Sequence, residues 1–267
     1  MKYAFMTFSC PDLTLPEVIE LARKTGYDGI EPRIVSDHAH GIEVDIDDAA
    51  RADIRKTISD STIEMVCIAT SCMFSDPAER DDQIEQCIKA IDLAGDLDCP
   101  TIRVFGGAIA KGLERSASID LVSDSLRSVA ARAEERGVIV CMETHDDWCD
   151  PAHVATVMER VDSPAVAVNW DIMHPVRMRT ATMIDSFETL EPWIRHVHVH
   201  DALVGADGSN SLDFSPIGTG YVDHKTAVEL LQSSGYAGSI SGEWIDWDDP
   251  YEIHLPRELA ILKSYES

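Results

Sequence analysis

VIVCMETH, residues 138–145, alternates large apolar side chains with small, polar or ionisable ones. Successive side chains of a strand point to opposite faces, so Val138, Val140 and Met142 share one face and Ile139, Cys141, Glu143 and His145 the other. A strand of this kind lays its greasy row on a helix and turns a carboxylate and an imidazole the other way. The pattern returns three times downstream. In VAVNWD, 166–171, Ala167, Asn169 and Asp171 oppose Val166, Val168 and Trp170. In HVHVHD, 196–201, His196, His198 and His200 oppose Val197 and Val199. In SISGEW, 239–244, Ser239, Ser241 and Glu243 oppose Ile240 and Trp244. If the apolar rows face helices, Glu143, Asp171, His198 and Glu243 face one another near the ends of four consecutive strands.

The rest of the chain fits that frame. Strand-like and helix-like patterns alternate from Tyr3 to the C-terminal helix, about eight βα units, and Glu64–Ser71 reads as one continuous third strand. The expected fold is an α/β (β/α)8 TIM barrel in a single domain over residues 1–267, since about 250 residues is typical of one such barrel. A doubly wound open sheet is the runner-up. The longest stretch without periodicity, Ala202–Val222, follows the seventh strand and reads as an irregular loop, a candidate lid.

Composition removes several function classes. With 22 Lys and Arg against 48 Asp and Glu the formal charge is −26, a field that repels nucleic-acid backbones and anionic membrane surfaces. No run approaches the ~20 apolar residues of a membrane span, and MKYAFMTFSC lacks the form of a signal peptide. The seven cysteines form no CxxC pair and read as reduced, buried thiols, so a cytoplasmic location is expected. Neither a dinucleotide fingerprint nor a nucleophile elbow occurs. The glycines at 106, 107, 218 and 220 read as turns with weak potential to cradle a phosphate, and Arg33, Lys111, Arg177 and Arg179 are basic residues that could meet one.

Three carboxylates and one imidazole make a mostly hard donor set. That chemistry suits one divalent ion, Mn²⁺, Mg²⁺ or Co²⁺, with Zn²⁺ also admissible. An ion chelating a carbonyl and an adjacent hydroxyl stabilises an enediolate and so acidifies the neighbouring C–H. Glu143 and Glu243 are the expected acid/base pair. Returning the proton to the opposite face epimerises, to the next carbon isomerises, and loss of a β-hydroxyl dehydrates.

GYDGIEPR, IRVFGG, CMETHDDW, NWDIMHP, HVHVHD, PIGTGYVDH and SGEW together resemble the sugar isomerase/epimerase superfamily with the xylose isomerase-like barrel. Ketose 3-epimerases, hydroxypyruvate isomerases and inosose dehydratases belong to it. The resemblance implies one metal ion on Glu143, Asp171, His198 and Glu243, and it is the superfamily's His-x-His-x-Lys-Asp pattern that selects His198 among three histidines. Here His200 stands at the Lys position, Cys149 where ketose 3-epimerases carry another Glu, and Val204 where they carry Arg. These departures point to a broader class of sugar, keto-acid or cyclitol substrates.

Further residues are expected at the substrate. His174 matches the superfamily's Asp-x-x-His, His145 lies one step nearer the mouth than Glu143, and His200 sits at the rim. Arg103, inward on the fourth strand, either orients a ligating Glu or grips substrate, and Glu31 ends the second strand beside the pocket. Trp148 and Trp247 read as loop anchors or as faces for a sugar ring. The reading is thus a metal-dependent isomerase or epimerase of a small sugar, keto-sugar or polyol, with a dehydratase of a keto-cyclitol or keto-acid as alternative. A silent sugar-binding barrel and an endonuclease IV-like nuclease are the remaining rivals. A homo-oligomer is a family-level expectation.

Overall fold

The computed structural model describes residues 1–245 and 247–266. Eight parallel staves close a barrel, each followed by a helix or turn on the outside. In chain order these are β1 (Lys2–Met6), α1 (Leu15–Thr25), β2 (Gly29–Glu31), α2 (Asp48–Ser59), β3 (Glu64–Met65), β4 (Ile68–Met73) and α3 (Arg80–Asp96). Then come β5 (Thr101–Phe105), α4 (Arg115–Arg136), β6 (Ile139–Glu143), α5 (Pro151–Val161), β7 (Val166–Asp171), α6 (Met173–Arg177) and α7 (Met183–Leu190). The chain ends with β8 (Ile194–Val199), the hairpin β9 (Asp201–Val204) and β10 (Asn210–Ser215), α8 (His224–Ser233), β11 (Ser239–Gly242) and α9 (Tyr251–Ser264).

The third stave is broken where a single strand is expected. β3 pairs with β2 and β4 pairs with β5, so the two pieces share one position in the cylinder. Pro32 makes the break tolerable: it offers no N–H, and its carbonyl accepts from Ala69 at 2.9 Å while Ile34 donates to the Ala69 carbonyl at 3.1 Å, which closes the seam.

Helices cover the apolar rows as the alternation requires. Trp170 is buried and its indole N–H donates to Ser186 Oγ of α7 at 2.9 Å; Trp244 packs its ring 5.5 Å from His254 of α9. Local signals set the boundaries. Thr14 and Glu17 cap α1 reciprocally, with Pro16 in its first turn, and Leu15, Val18, Leu21 and Ala22 are its buried stripe.

Residues 202–222 differ from the irregular loop expected. They contain most of an antiparallel two-stranded sheet, with Asn210 opposite Val204 and Ser215 opposite Asp201. Its tip meets solvent, with Leu203, Val204 and Leu212 about half exposed, while Asp201, Ala202 and Ser215 at its base are buried, so burial changes along the strands and does not alternate with period two. The signal that was present is Asp207-Gly208, a pair suited to a tight turn. Likewise Gly218 and Gly220 cradle no external anion: their N–H groups both donate to Asp201 Oδ2 at 2.9 Å, so the chain supplies its own carboxylate. Among the described residues no helix is long and apolar enough to cross a membrane.

Candidate metal centre

Register brings the sequence-predicted ligands to one level. Asp171 on β7 lies opposite His198 on β8, and His198 lies opposite Ser241 on β11, two residues before Glu243. Glu143, at the end of β6, is one layer deeper, opposite Asn169, and its longer side chain reaches up to the ring. One donor atom from each of Glu143, Asp171, His198 and Glu243 falls within 4.8 Å of the others, and all four residues are buried.

His198 Nδ1 is the inner nitrogen, 3.0 Å from Glu143 Oε1 and 3.6 Å from Glu243 Oε2. Its Nε2 points the other way, to Glu31. Asp171 divides its labour between two oxygens. Oδ1 accepts from the Met173 and His174 N–H groups at 2.8 and 3.3 Å, which starts the short helix α6, while Oδ2, with His200 Nε2 2.9 Å away, has no aligned partner among the described residues. Glu143 Oε2 is similarly unsatisfied, with Arg103 Nε 3.2 Å away but off the hydrogen-bond axis. Buried carboxylate oxygens without partners are costly unless a cation meets them.

The charges at the site shift one another strongly. Burial pushes the Glu243 carboxyl up, but the hydrogen bond and charge of His198, with His200 and Arg103 behind, win and hold it at about 2. Asp171 is desolvated too, yet His200 and His174 pull it below the usual carboxylate range. His200 goes the other way: burial depresses it, Asp171 at 2.9 Å outweighs burial, and the imidazole is raised. For His174 burial prevails over Asp171 and lowers it to about 4. His145, disfavoured by burial but beside Asp146 at 2.9 Å and near Glu143, is raised to about 9.

The structure distributes the expected substrate residues over three depths. His145, His174 and His200 form a chain of edge-on rings above the ligands, with centroids 4.3 and 5.4 Å apart, and only His145 is part-exposed. Arg103 is wholly buried below them; its Nη1 donates to the Thr70 carbonyl at 2.9 Å and its guanidinium lies 4.0 Å from the Phe105 ring centre. That places it against Glu143. Glu31 is deeper still, accepting from His196 Nε2 at 2.8 Å and facing His198 Nε2 at 3.0 Å. Trp148 is an anchor, buried with its indole N–H shared between Ser75 Oγ and the Gly107 carbonyl.

Two partners escaped the sequence reading. Arg177 Nε donates to His174 Nδ1 at 3.2 Å, and Phe214 of the hairpin stacks on His200 with centroids 5.2 Å apart. The spacing of Arg177 from His174 on one helical turn could have revealed the first. Nothing local could have revealed the second, which depends on how the hairpin folds back. Phe214, Trp247 and neighbours line a cavity of about 380 Å³ and a second of about 680 Å³ opens between α7 and β10, and neither is lined by Glu143, Asp171, His198 or Glu243.

A closed parallel barrel with these four side chains at its carboxyl end is matched by one family description, the xylose isomerase-like TIM barrel, over residues 19–265. The chain belongs to that family. Within it, the chain is similar to the 3-dehydroshikimate dehydratase of Bacillus anthracis, 22% identical over 260 residues and 91% of each protein. The crystal structure of the probable 3-DHS dehydratase AsbF from Bacillus anthracis superposes with a TM-score of 0.79 at 21% identity, covering 98% of this chain and 99% of that one. D-psicose 3-epimerase in the presence of D-fructose gives 0.79 at 19% identity, with 99% of both chains covered. The IolI protein with a bound zinc atom gives 0.81 at 17%, covering 99% and 96%. Dehydratases and epimerases therefore both stand among the proteins this xylose isomerase-like chain is similar to.

Proposed function

We propose that this barrel holds one divalent cation on Glu143, Asp171, His198 and Glu243 and catalyses proton transfer beside the carbonyl of a small polyhydroxylated substrate, as an isomerase or epimerase. The observation that carries this reading is the ring itself: three buried carboxylates and one imidazole within 4.8 Å, two of whose oxygens have no aligned partner. Arg103 lies beside that ring, with its Nε 3.2 Å from Glu143 Oε2. The donors fit a hard divalent ion, Mn²⁺, Mg²⁺ or Co²⁺ first and Zn²⁺ second.

When bound, such an ion supplies Lewis acidity to a substrate carbonyl and hydroxyl. The chain's own groups do the rest. Glu143 and Glu243 rise from staves on either side of β7 and β8, so they approach a substrate in the mouth from different directions. One removes the proton next to the carbonyl and the other delivers it. His174, whose Nε2 has no hydrogen-bond partner among the described residues and lies 3.9 Å from Asp171 Oδ2, donates to a substrate oxygen, and His145 and His200 contact it from either side. Burial of the ring excludes water from the enediolate.

Dehydration is a second reading, favoured by the likeness to 3-dehydroshikimate dehydratase along 91% of the chain. It uses the same first proton transfer and differs only in losing a β-hydroxyl. Exchange of substrate C–H for C–D in D₂O detects both routes. Protein loaded with Mn²⁺ is expected to exchange a proton of at least one ketose, aldose or keto acid, and Glu143→Gln and Glu243→Gln to slow that exchange about 100-fold or more. Exchange at the unmodified rate in both variants, or none with any compound, would remove the reading.

A further inference from the structure

Arg33 follows Glu31 by two residues on the same stave, so it shares the inward face one layer nearer the mouth. Glu31 lies under His198; Arg33 therefore stands at the rim over the same side of the ring. It is part-exposed, as are its neighbours Phe8 and His38, and its guanidinium lies 6.0 Å from the Phe8 ring centre. In a chain with 48 carboxylates to 22 basic side chains, a guanidinium ordinarily finds a carboxylate within contact. Arg33 makes no such ion pair among the described residues. Its Nη1 donates to the Ile34 and Ala69 carbonyls and its Nη2 to Ser71 Oγ. Among the described residues Nε–H and one Nη2–H have no partner, and a guanidinium with donors to spare is suited to a carboxylate. Glu43 spends its Oε2 on the Val35 N–H, and Glu243 turns toward His198.

We infer that Arg33 is an anion-binding residue at the barrel mouth and that the substrate of the proposed metal-dependent reaction is a hydroxy- or keto-acid whose carboxylate it receives. This rests on the function proposed above and narrows its substrate class from neutral sugars to sugar-like acids. The overall charge of −26 does not oppose it, because at physiological ionic strength charges are screened beyond about 8 Å and the local guanidinium decides.

Gluconate and glucitol share a six-carbon polyol chain and differ at one end, carboxylate against hydroxymethyl. Calorimetric titration of Mn²⁺-loaded protein with each is expected to show gluconate at least about tenfold tighter, the scale of a charge-assisted bidentate pair. Arg33→Gln should abolish the preference while leaving glucitol unchanged, and Arg33→Lys, which keeps the charge and can still reach the Ala69 carbonyl, should retain part of it. Equal affinities, binding of neither compound, or a preference that persists in Arg33→Gln because the ion alone chelates the carboxylate, would each overturn the assignment. Normal Mn²⁺ binding without the preference would sink Arg33 and spare the metal centre; a preference in protein that binds no Mn²⁺ would do the reverse.

Discussion

Glu31 and His198 meet at 3.0 Å beneath the ring, the carboxylate on one imidazole nitrogen and the ring of donors on the other. An imidazole that ligates a cation through Nδ1 must carry its proton on Nε2, and Glu31 is the acceptor for it. Burial disfavours the Glu31 carboxylate, but His198 and His196 outweigh it and hold the carboxyl well below the usual range. Glu31→Gln keeps the shape and weakens the acceptor. The expected result is a 10- to 100-fold loss of Mn²⁺ affinity, on the order of other outer partners of metal-ligating histidines. Competition with a chelator measures it, and unchanged affinity would refute the role of Glu31.

Arg177 fixes a second tautomer. A guanidinium only donates, so the 3.2 Å contact from Arg177 Nε makes His174 Nδ1 an acceptor and leaves the proton on Nε2, 3.9 Å from Asp171 Oδ2. In Arg177→Met the two tautomers should mix. ¹⁵N chemical shifts of the His174 ring report the mixture directly, and a single Nε2–H form in the variant would show that Arg177 does not set it.

Gly106 owes its identity to Trp148. A Cβ at position 106 would sit 2.2 Å from the indole, whose N–H is already tied to Ser75 and Gly107 and cannot swing aside. Gly106→Ala is expected to cost about 1–3 kcal/mol, the usual scale of overpacking, or roughly 2–4 °C per kcal/mol in a chain of this size. Thermal and urea unfolding give the value. A variant as stable as the parent would mean the strand end moves freely.

Parity carried the sequence reading where both faces of a strand have a job. β6, β7, β8 and β11 are greasy outside and polar inside, so the inward places of Glu143, Asp171 and Glu243 and the outward ones of Trp170 and Trp244 could be read from alternation alone. Which histidine joins the ring could not: His196, His198 and His200 share one face, and their three depths follow from barrel stagger, which places His196 on Glu31, His198 between Glu31 and Glu143, and His200 on Asp171. The hairpin β9–β10 was illegible because its burial runs from base to tip, from Ala202 and Ser215 out to Val204 and Leu212, and so does not alternate between faces. Arg33 and Arg177 read only as basic residues that could meet a phosphate, and only the folded chain shows that neither makes an ion pair with a carboxylate among the described residues.

The loop after β2 should soften in acid, and the sign follows from His40. Its Nδ1 accepts from the Ile42 N–H at 3.0 Å and its Nε2 faces the Arg33 carbonyl at 3.2 Å, so the neutral ring is satisfied at both nitrogens. Burial, and then His38, lower it from 6.5 to about 4. Between those values the unfolded chain takes up a proton that the folded chain refuses, so the stabilisation is complete above pH 6.5 and is lost as pH falls through that window toward 4. Each pKa unit is worth about 1.4 kcal/mol, so going from neutral pH to about 4.5 should cost the parent protein about 1–3 kcal/mol more than it costs His40→Gln. Urea midpoints measured across that range test it. Parallel pH profiles for the two proteins would show that the loop tolerates a charged imidazole, and the Arg33 backbone would then have to be held in place by the β2–β4 seam alone.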